Sequence, residues 1–158
     1  MTTNLLPEEF ISNIPICFRY AQPQDTPFIF DSWVNSNRKS PANKGIKKAK
    51  LYTNAQRQLI GKILSRSKCI VCADYQDPIK TIYGYVVFKE GRESVLHYLY
   101  VKQDFRGFGI AKKLLDEVKK HCPNDTEFFA SHHAANDFFM PYIEKEYLVT
   151  YDPFRRES

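Results

Sequence analysis

The sequence contains no apolar run long enough to cross a membrane. A spanning helix needs about 20 predominantly apolar residues, and none occurs among the 158 residues of the chain. The first residues, Met-Thr-Thr-Asn-Leu-Leu-Pro-Glu-Glu, also lack the basic and long apolar segments of a secretory signal. We therefore expect a protein that is neither inserted into membranes nor exported.

Cysteine is scarce as well, with four residues in the chain. Cys69 and Cys72 have the CxxC spacing, but they fall within a predicted strand, where residues three apart point to opposite faces. No second CxxC and no HxxxH motif accompanies them, so a structural role is favoured over a metal or redox centre. We expect no metal cofactor, and a reducing, cytoplasmic location.

Acidic residues are absent from positions 32–73, which hold ten Lys or Arg residues. The rest of the chain holds thirteen basic and eighteen acidic side chains, so the net charge of +5 is concentrated in this one segment. The basic residues are densest from Arg38 to Lys50, in a predicted loop. Such a loop would attract an acidic or phosphorylated partner, and the alternative is a solvated loop without a binding role.

Length and composition fit a single domain with a substantial core. We predict an N-terminal arm over residues 1–14 and one domain over 15–158. The apolar patterns and turn residues predict, in order, strand 16–20, a helix starting near Pro27, helix 53–65 with Thr53 as its cap, strands 69–73, 81–88 and 94–101, helix 109–121, strand 127–130, helix 134–143 and strand 147–151. The expected fold is mixed α/β (α+β), with a mostly antiparallel central sheet flanked by helices in the order β-α-α-β-β-β-α-β-α-β.

The most distinctive motif is a glycine-rich elbow, Arg106–Ala111, which joins the strand ending at Val101 to a lysine-rich amphipathic helix. Such an elbow gathers backbone N–H groups at a helix N-terminus, which favours a bound phosphate or pyrophosphate. The dinucleotide pattern GxGxxG is not met, because Lys112 stands where the third glycine should be. The P-loop pattern also fails, because no Gly-Lys-Ser/Thr follows.

The elbow Arg-Gly-Phe-Gly-Ile-Ala resembles the Arg/Gln-x-x-Gly-x-Gly/Ala signature of the GNAT acetyltransferases, with Val101 at the usual distance before the arginine. The segment Tyr142–Tyr147 is similar to that family's Tyr-Glu-Lys-x-Gly-Phe ending, although Glu146 replaces the glycine. Asn136 lies near the usual asparagine, six residues before Tyr142 where seven is commoner. The resemblance covers residues 16–151 and implies the mixed-sheet GNAT fold.

The resemblance also implies that the chain binds acetyl-CoA as a co-substrate. The strand residues would present backbone groups to the pantetheine arm, the elbow and Lys112 would hold the pyrophosphate, and Asn136 would touch the cofactor arm. Glycine allows the close approach of backbone to phosphate, and the helix N-terminus and nearby cations favour its charge. The complete set assigned to acetyl-CoA is Leu99, Tyr100, Val101, Arg106, Gly107, Phe108, Gly109, Ile110, Ala111, Lys112 and Asn136.

His97 is the candidate base for deprotonating the attacking amine. It lies four residues before Val101, so a regular strand would place both on one face, and its ordinary pKa suits the task. A histidine looks similarly placed in GNAT members that act on arylalkylamines. A packing role for His97 is the alternative, and Glu93 acting through water is a second candidate base.

Tyr142 is, by resemblance, the candidate acid that protonates the leaving thiolate, with a core tyrosine as the alternative. The run Ser131-His132-His133 follows a predicted strand and is expected at the substrate rim rather than on a metal. His121 is expected to interact with the dipole at a helix C-terminus.

The sequence thus predicts an acetyl-CoA-dependent N-acetyltransferase in which a primary amine attacks the thioester directly. The alternative is a binding module that keeps the fold, has lost catalysis and uses residues 38–50 on nucleic acid or an acidic partner. Nucleic acid is the less favoured partner, because only Tyr52 adjoins the basic run as a stacking group. The acceptor amine stays open, and we expect a monomer or homodimer.

Overall fold

Seven strands and three helices make up the part of the chain that the structure describes. The structure, a computed structural model, describes residues 9–11, 13–39, 49–91, 93–122, 127–130 and 149–151. The strands are β1 Glu9–Ile11, β2 Ile14–Tyr20, β3 Lys68–Asp74, β4 Asp77–Lys89, β5 Glu93–Val101, β6 Glu127–Ala130 and β7 Val149–Tyr151. The helices are α1 Thr26–Lys39, α2 Ala49–Arg66 and α3 Ile110–Lys120, with short 3₁₀ turns at Pro23–Asp25 and Gln103–Phe105.

The strands form one sheet in which each strand pairs with the next along the chain. Pairing from β1 through β5 is antiparallel, and β6 joins β5, and β7 joins β6, in parallel. This arrangement confirms the predicted mixed, mostly antiparallel sheet flanked by helices. None of the helices described is long and apolar enough to span a membrane.

Two element boundaries differ from the sequence prediction. Strand β1 lies within the predicted N-terminal arm and pairs with β2, and its Ile11 is buried. Helix α2 begins at Ala49, so the prediction that Thr53 caps it is wrong. Ala, Lys and Leu precede Thr53 and are strong helix formers, so the helix extends one turn further than the capping signal indicates. The predicted helix 134–143 lies outside the described residues.

Both faces of the sheet are covered, which explains the long apolar runs in β3 to β5. One face packs on α3 through Ile110, Leu114 and Val118, and we call it the α3 face. The other packs on α1 and α2, and we call it the α1/α2 face. Cys72 belongs to the α3 face and Cys69 to the α1/α2 face, as alternation predicts.

The cysteines have the surroundings expected of structural residues. Those of the described chain are all free thiols, and three of the four are buried. Burial raises the pKa of Cys69 to about 12, so its thiol stays protonated at neutral pH. No group of three or more His, Cys, Asp or Glu side chains suited to a metal ion occurs among the residues described.

Strand β5 contains a bulge at His97. Val87 of β4 faces Tyr98, and the next residue of β4 faces Leu96, so His97 is the extra residue between them. As a result Leu96 and Leu99 lie on the same α3 face although they are three residues apart. The regular alternation from which His97 and Val101 were predicted to share a face is therefore interrupted between them, and the shared face itself stays a prediction.

Candidate functional site

The elbow follows β5 and leads directly into α3. Gly107 and Gly109 both have φ of 86°, in the left-handed region that other residues rarely adopt. Among the residues described, no atom lies within 4 Å of a Cβ placed at either position. The two glycines are therefore required by the backbone conformation and not by crowding from the described residues.

The N-terminus of α3 is open to an anion. Gly109 is its N-cap and supplies no side-chain oxygen, and no acidic residue lies in the first turn. The first-turn N–H groups of a helix lack carbonyl partners within the helix and carry its positive dipole end. Ile110 and Ala111 bury their side chains against the sheet, so what they can offer a ligand is backbone, whereas Lys112 is exposed.

Contacts to β4 hold the elbow in place. The Lys102 N–H donates to Tyr83 O at 2.8 Å, and the Phe105 N–H donates to Lys102 O at 2.9 Å. The ring of Phe105 packs on that of Tyr83, with centroids 4.4 Å apart. The Tyr83 hydroxyl in turn donates to Asp74 Oδ2 at 3.0 Å. Burial, with this hydrogen bond, raises the pKa of Tyr83 to about 12, so the hydroxyl stays a donor at neutral pH.

Among the residues described, nothing pairs near the elbow with the edge of β5 that faces β6, and we call this the open edge. Strand β6 pairs with β5 over Glu93–Leu96, and no described residue pairs on that side beyond Leu96. The Lys102 N–H points toward β4, as does the Tyr100 carbonyl, which would lie 2.5 Å from a Cβ on Gly84. By alternation, the N–H and C=O groups of Val101 point to the open edge.

The backbone groups of Leu99 and Val101 therefore face this open edge, two residues apart. Tyr100 does not present its backbone there, contrary to the prediction, because its carbonyl lies against β4. Its half-buried side chain lies on the α1/α2 face. Arg106 covers part of the edge, because its Nε donates to Val101 O at 2.8 Å.

Two cations lie on aromatic rings at the end of β5. The guanidinium carbon of Arg106 is 5.8 Å from the centroid of Tyr100, and Lys102 Nζ is 5.1 Å from the centroid of Phe28. Phe28 and Tyr100 themselves meet edge to face, with centroids 6.0 Å apart. Phe108, between the two glycines, is 49% exposed.

His97 is fully buried, at 0% exposure. Burial, with smaller contributions from Lys89 and Arg66, lowers its pKa from 6.5 to about 4. Its imidazole is therefore neutral at pH 7, and it is a weaker proton acceptor than an ordinary histidine. These properties favour the packing role over the base role, which stays a prediction.

Of the remaining predicted site residues, Glu93 and His121 are described by the structure and the others are not. Glu93 is exposed at the start of β5, about 26 Å along the strand from Val101, and its role as a base acting through water stays a prediction. His121 ends α3 as predicted, and its Nδ1 lies 3.3 Å from the Tyr20 hydroxyl. Tyr142, Asn136 and the run 131–133 lie outside the described residues.

Sequence reasoning missed the residues that support the elbow. Tyr83, Phe105 and Asp74 carry no motif, and they meet only through the pairing of β3, β4 and β5. The ring of Phe28 under Lys102 was likewise not foreseen, because α1 and the end of β5 are distant in sequence. The one available signal was the aromatic content of 15%, which does not identify positions.

Comparisons with known proteins agree with this geometry. A family model described as an acetyltransferase (GNAT) domain matches residues 38–142. Comparison with curated protein sequences gives no match.

Solved structures share the fold at low sequence identity. The PaiA N-acetyltransferase of Thermoplasma acidophilum, in complex with coenzyme A, is 16% identical with a TM-score of 0.57, covering 82% of this chain and 87% of its own. A GNAT-family acetyltransferase of Staphylococcus aureus Mu50 is 16% identical with a TM-score of 0.57, covering 84% and 82%. A possible acetyltransferase from Clostridium difficile 630 is 14% identical with a TM-score of 0.56, covering 85% and 90%.

The family match spans well over half of the chain and includes β3 to β6, the elbow and α3. The elbow has the open helix N-terminus that its motif predicts. The chain belongs to the GNAT family of acetyltransferases and is, by that membership, an N-acetyltransferase.

Proposed function

We propose that the chain transfers the acetyl group of acetyl-CoA to a primary amine, which attacks the thioester directly. The observation that carries this proposal is the N-terminus of α3, which has neither a side-chain cap nor an acidic first-turn residue. It follows two glycines, and no described residue lies within 4 Å of a Cβ placed at either of them. These features fit a pyrophosphate, because backbone N–H groups and the helix dipole would meet its charge without a metal.

The open edge of β5 supports a second part of the proposal. Leu99 and Val101 would hydrogen-bond the pantetheine arm along the side of β5 on which no described residue pairs beyond Leu96. The arm would then lie against β5 as an added strand does. Arg106 would leave Val101 O and turn toward the pyrophosphate, where a guanidinium can bind two oxygens. Buried side chains attach α3 to the sheet. The proposed pyrophosphate site at the N-terminus of α3 and the proposed pantetheine site on β5 would therefore keep a fixed relative position.

In this reaction the chain would position the two substrates and move protons. Bound acetyl-CoA would supply an activated acetyl group. The amine nitrogen forms a bond to the acetyl carbon while the carbon–sulfur bond breaks, the nitrogen loses a proton and the sulfur gains one. We assign Tyr142 to protonating the sulfur and Asn136 to the cofactor arm, both by resemblance. His97 is a candidate acceptor of the proton that the amine loses.

Binding of acetyl-CoA is the first test. At a concentration of about 100 Kd, acetyl-CoA should stabilise the chain by about 2.7 kcal/mol, which raises the Tm by roughly 5–10 °C for a domain of this size. Gly109→Asp should abolish the shift, because it places a carboxylate where the phosphates bind. Gly109→Asn is the matched control, since Asn has the same shape, tolerates the left-handed conformation and adds no charge.

The outcomes separate this function from the alternative. A Tm shift that survives in Gly109→Asp, or that is absent from the wild type, would contradict the proposal. Nucleic acid binding with a steep salt dependence and no response to acetyl-CoA would instead favour the binding module. Release of free CoA thiol with a panel of amines, lost in Gly109→Asp, would complete the assignment.

A further inference from the structure

Lys102 lies at the junction of β5 and the elbow, with its backbone fixed and its side chain turned away from α3. Its N–H is held by Tyr83 O at 2.8 Å. Its ammonium is 5.1 Å from the ring centroid of Phe28, which lies in the first turn of α1. Lys102 is therefore adjacent in sequence to Val101, yet its charge lies on the α1/α2 face.

Half-buried aromatic rings form an apolar floor beside this ammonium. Phe28 and Tyr100 meet edge to face at 6.0 Å, and the rings of Tyr100 and Tyr85 are 5.6 Å apart. Tyr85 is fully buried, so it anchors this floor to the core. A ligand on the α1/α2 face near the end of β5 would thus meet aromatic carbon and one fixed cation.

The positive charge of Lys102 is not neutralised by the described residues. None of their carboxylates forms an ion pair with it. Asp25 is committed to Arg19 at 2.7 Å, and Asp74 accepts the Tyr83 hydroxyl. Asp104, two residues further on, is exposed in the 3₁₀ turn and makes no ion pair with Lys102. A half-buried ammonium of this kind favours an anionic partner.

We propose that Lys102 binds a carboxylate of the acetyl acceptor, so that the acceptor is a small amino acid-like amine with an apolar or aromatic skeleton. The inference rests on the proposed function. Phosphates at the elbow would lie at the N-terminus of α3, whereas Lys102 projects to the opposite face, where an acceptor would approach Leu99–Val101. A polyamine would bring further positive charge against Lys102, and the same electrostatics disfavour it.

Paired amines that differ by one carboxylate test the proposal. The probes are L-phenylalanine with phenethylamine and L-leucine with isoamylamine, compared at equal concentrations of unprotonated amine. In the wild type, kcat/KM should be about ten- to a hundredfold higher for the carboxylated member, as expected for one charged hydrogen bond. In Lys102→Met the ratio should fall to near one, and Lys102→Arg should restore much of it.

The Tm shift with acetyl-CoA and a control variant distinguish a failure of this inference from a failure of the proposed function. The Tm shift with acetyl-CoA should be unchanged in Lys102→Met, and Lys62→Met, at an exposed site on α2, should behave as the wild type in every assay. Equal kcat/KM values within both wild-type pairs, or no turnover of either amino acid, would overturn the inference about Lys102. A Tm shift with acetyl-CoA in the same protein would still support the proposed function. Loss of that shift in Lys102→Met would place the residue at the cofactor instead, and would also overturn it.

Discussion

Acidification below pH 6.5 should destabilise the folded chain through one buried imidazole, that of His97. The imidazole is 0% exposed and its pKa is lowered from 6.5 to about 4, first by burial and then by Lys89 and Arg66. In the unfolded chain the same group takes up a proton as the pH falls through its ordinary pKa. In the folded chain it stays neutral until the pH approaches 4.

The sign and size of the effect follow from proton linkage. Between these two pKa values the unfolded state binds one more proton, so the free energy of unfolding falls by about 1.4 kcal/mol for each unit of pH decrease. The loss over the whole window is about 3 kcal/mol, and between pH 7 and pH 4.5 it is about 2 kcal/mol. A domain with a total stability of about 5–15 kcal/mol would register this clearly. At a pH more than about one unit above 6.5 both states are neutral at this site, and its contribution to the pH dependence vanishes.

Urea unfolding of the wild type and of His97→Gln at the two pH values measures the effect. Carboxylates titrate in the same range, but they do so in both proteins, so the difference between the two pH dependences isolates His97. The wild type should lose about 2 kcal/mol more than His97→Gln. Ser94→Ala is the matched control, because Ser94 is a buried polar residue of the same strand that does not titrate. It should lower stability equally at both pH values.

Equal pH dependences in the wild type and His97→Gln would refute this reasoning, as would an imidazole that titrates near 6.5 in the folded protein. The same variant decides between the two roles of His97 in catalysis. A base should leave His97→Gln slow near neutral pH, with partial recovery at high pH where the amine deprotonates by itself. An activity profile that keeps its shape would leave His97 with a packing role alone.

Two further substitutions test how the elbow is held. In Gly84→Ala the new Cβ would lie 2.5 Å from the Tyr100 carbonyl. The variant should therefore lose several kcal/mol of unfolding free energy in urea, or move the end of β5 and so weaken the acetyl-CoA Tm shift. Gly61→Ala in α2 is the control, because the nearest atom is 3.7 Å away, and it should be neutral or stabilising by about 0.5–1 kcal/mol. Phe105→Leu removes the ring whose centroid lies 4.4 Å from that of Tyr83. It should raise KM for acetyl-CoA severalfold with little change in kcat. A change in kcat alone would contradict a positioning role for Phe105.

The elements that sequence reasoning predicted well are those whose signals are local. Alternation placed Cys69 and Cys72 on opposite faces because β3 is a regular strand buried on both sides. The glycines at 107 and 109 indicated an unusual backbone because few other residues adopt their φ of 86°. Both inferences depend on backbone geometry within a few residues, which is the information that a single sequence carries.

The errors arose where tertiary pairing overrides local preference. Nothing in the sequence around His97 marks a bulge, because the extra residue is defined only by what β4 places opposite it. Thr53 has a capping side chain, yet the residues before it are equally able to continue the helix. The support of the elbow by Tyr83, and the seating of Lys102 on Phe28, join segments that are far apart in the chain.

The bulge at His97 lies between the part of β5 that pairs with β6 and the elbow. The last pair between β5 and β6 among the residues described is Leu96 with Ala130, and the extra residue of the bulge is the next one along β5, His97. A bulge bends and twists the strand that contains it, so we expect β5 to change direction at His97. Beyond it, Leu99 and Val101 direct their backbone groups to an edge that β6 does not occupy among the residues described. The imidazole of His97 is buried at the bulge. Because its pKa is about 4, it is neutral at pH 7 and brings no charge into the core. His97 therefore has a structural role at the bulge of β5, and that role does not require its imidazole to accept a proton.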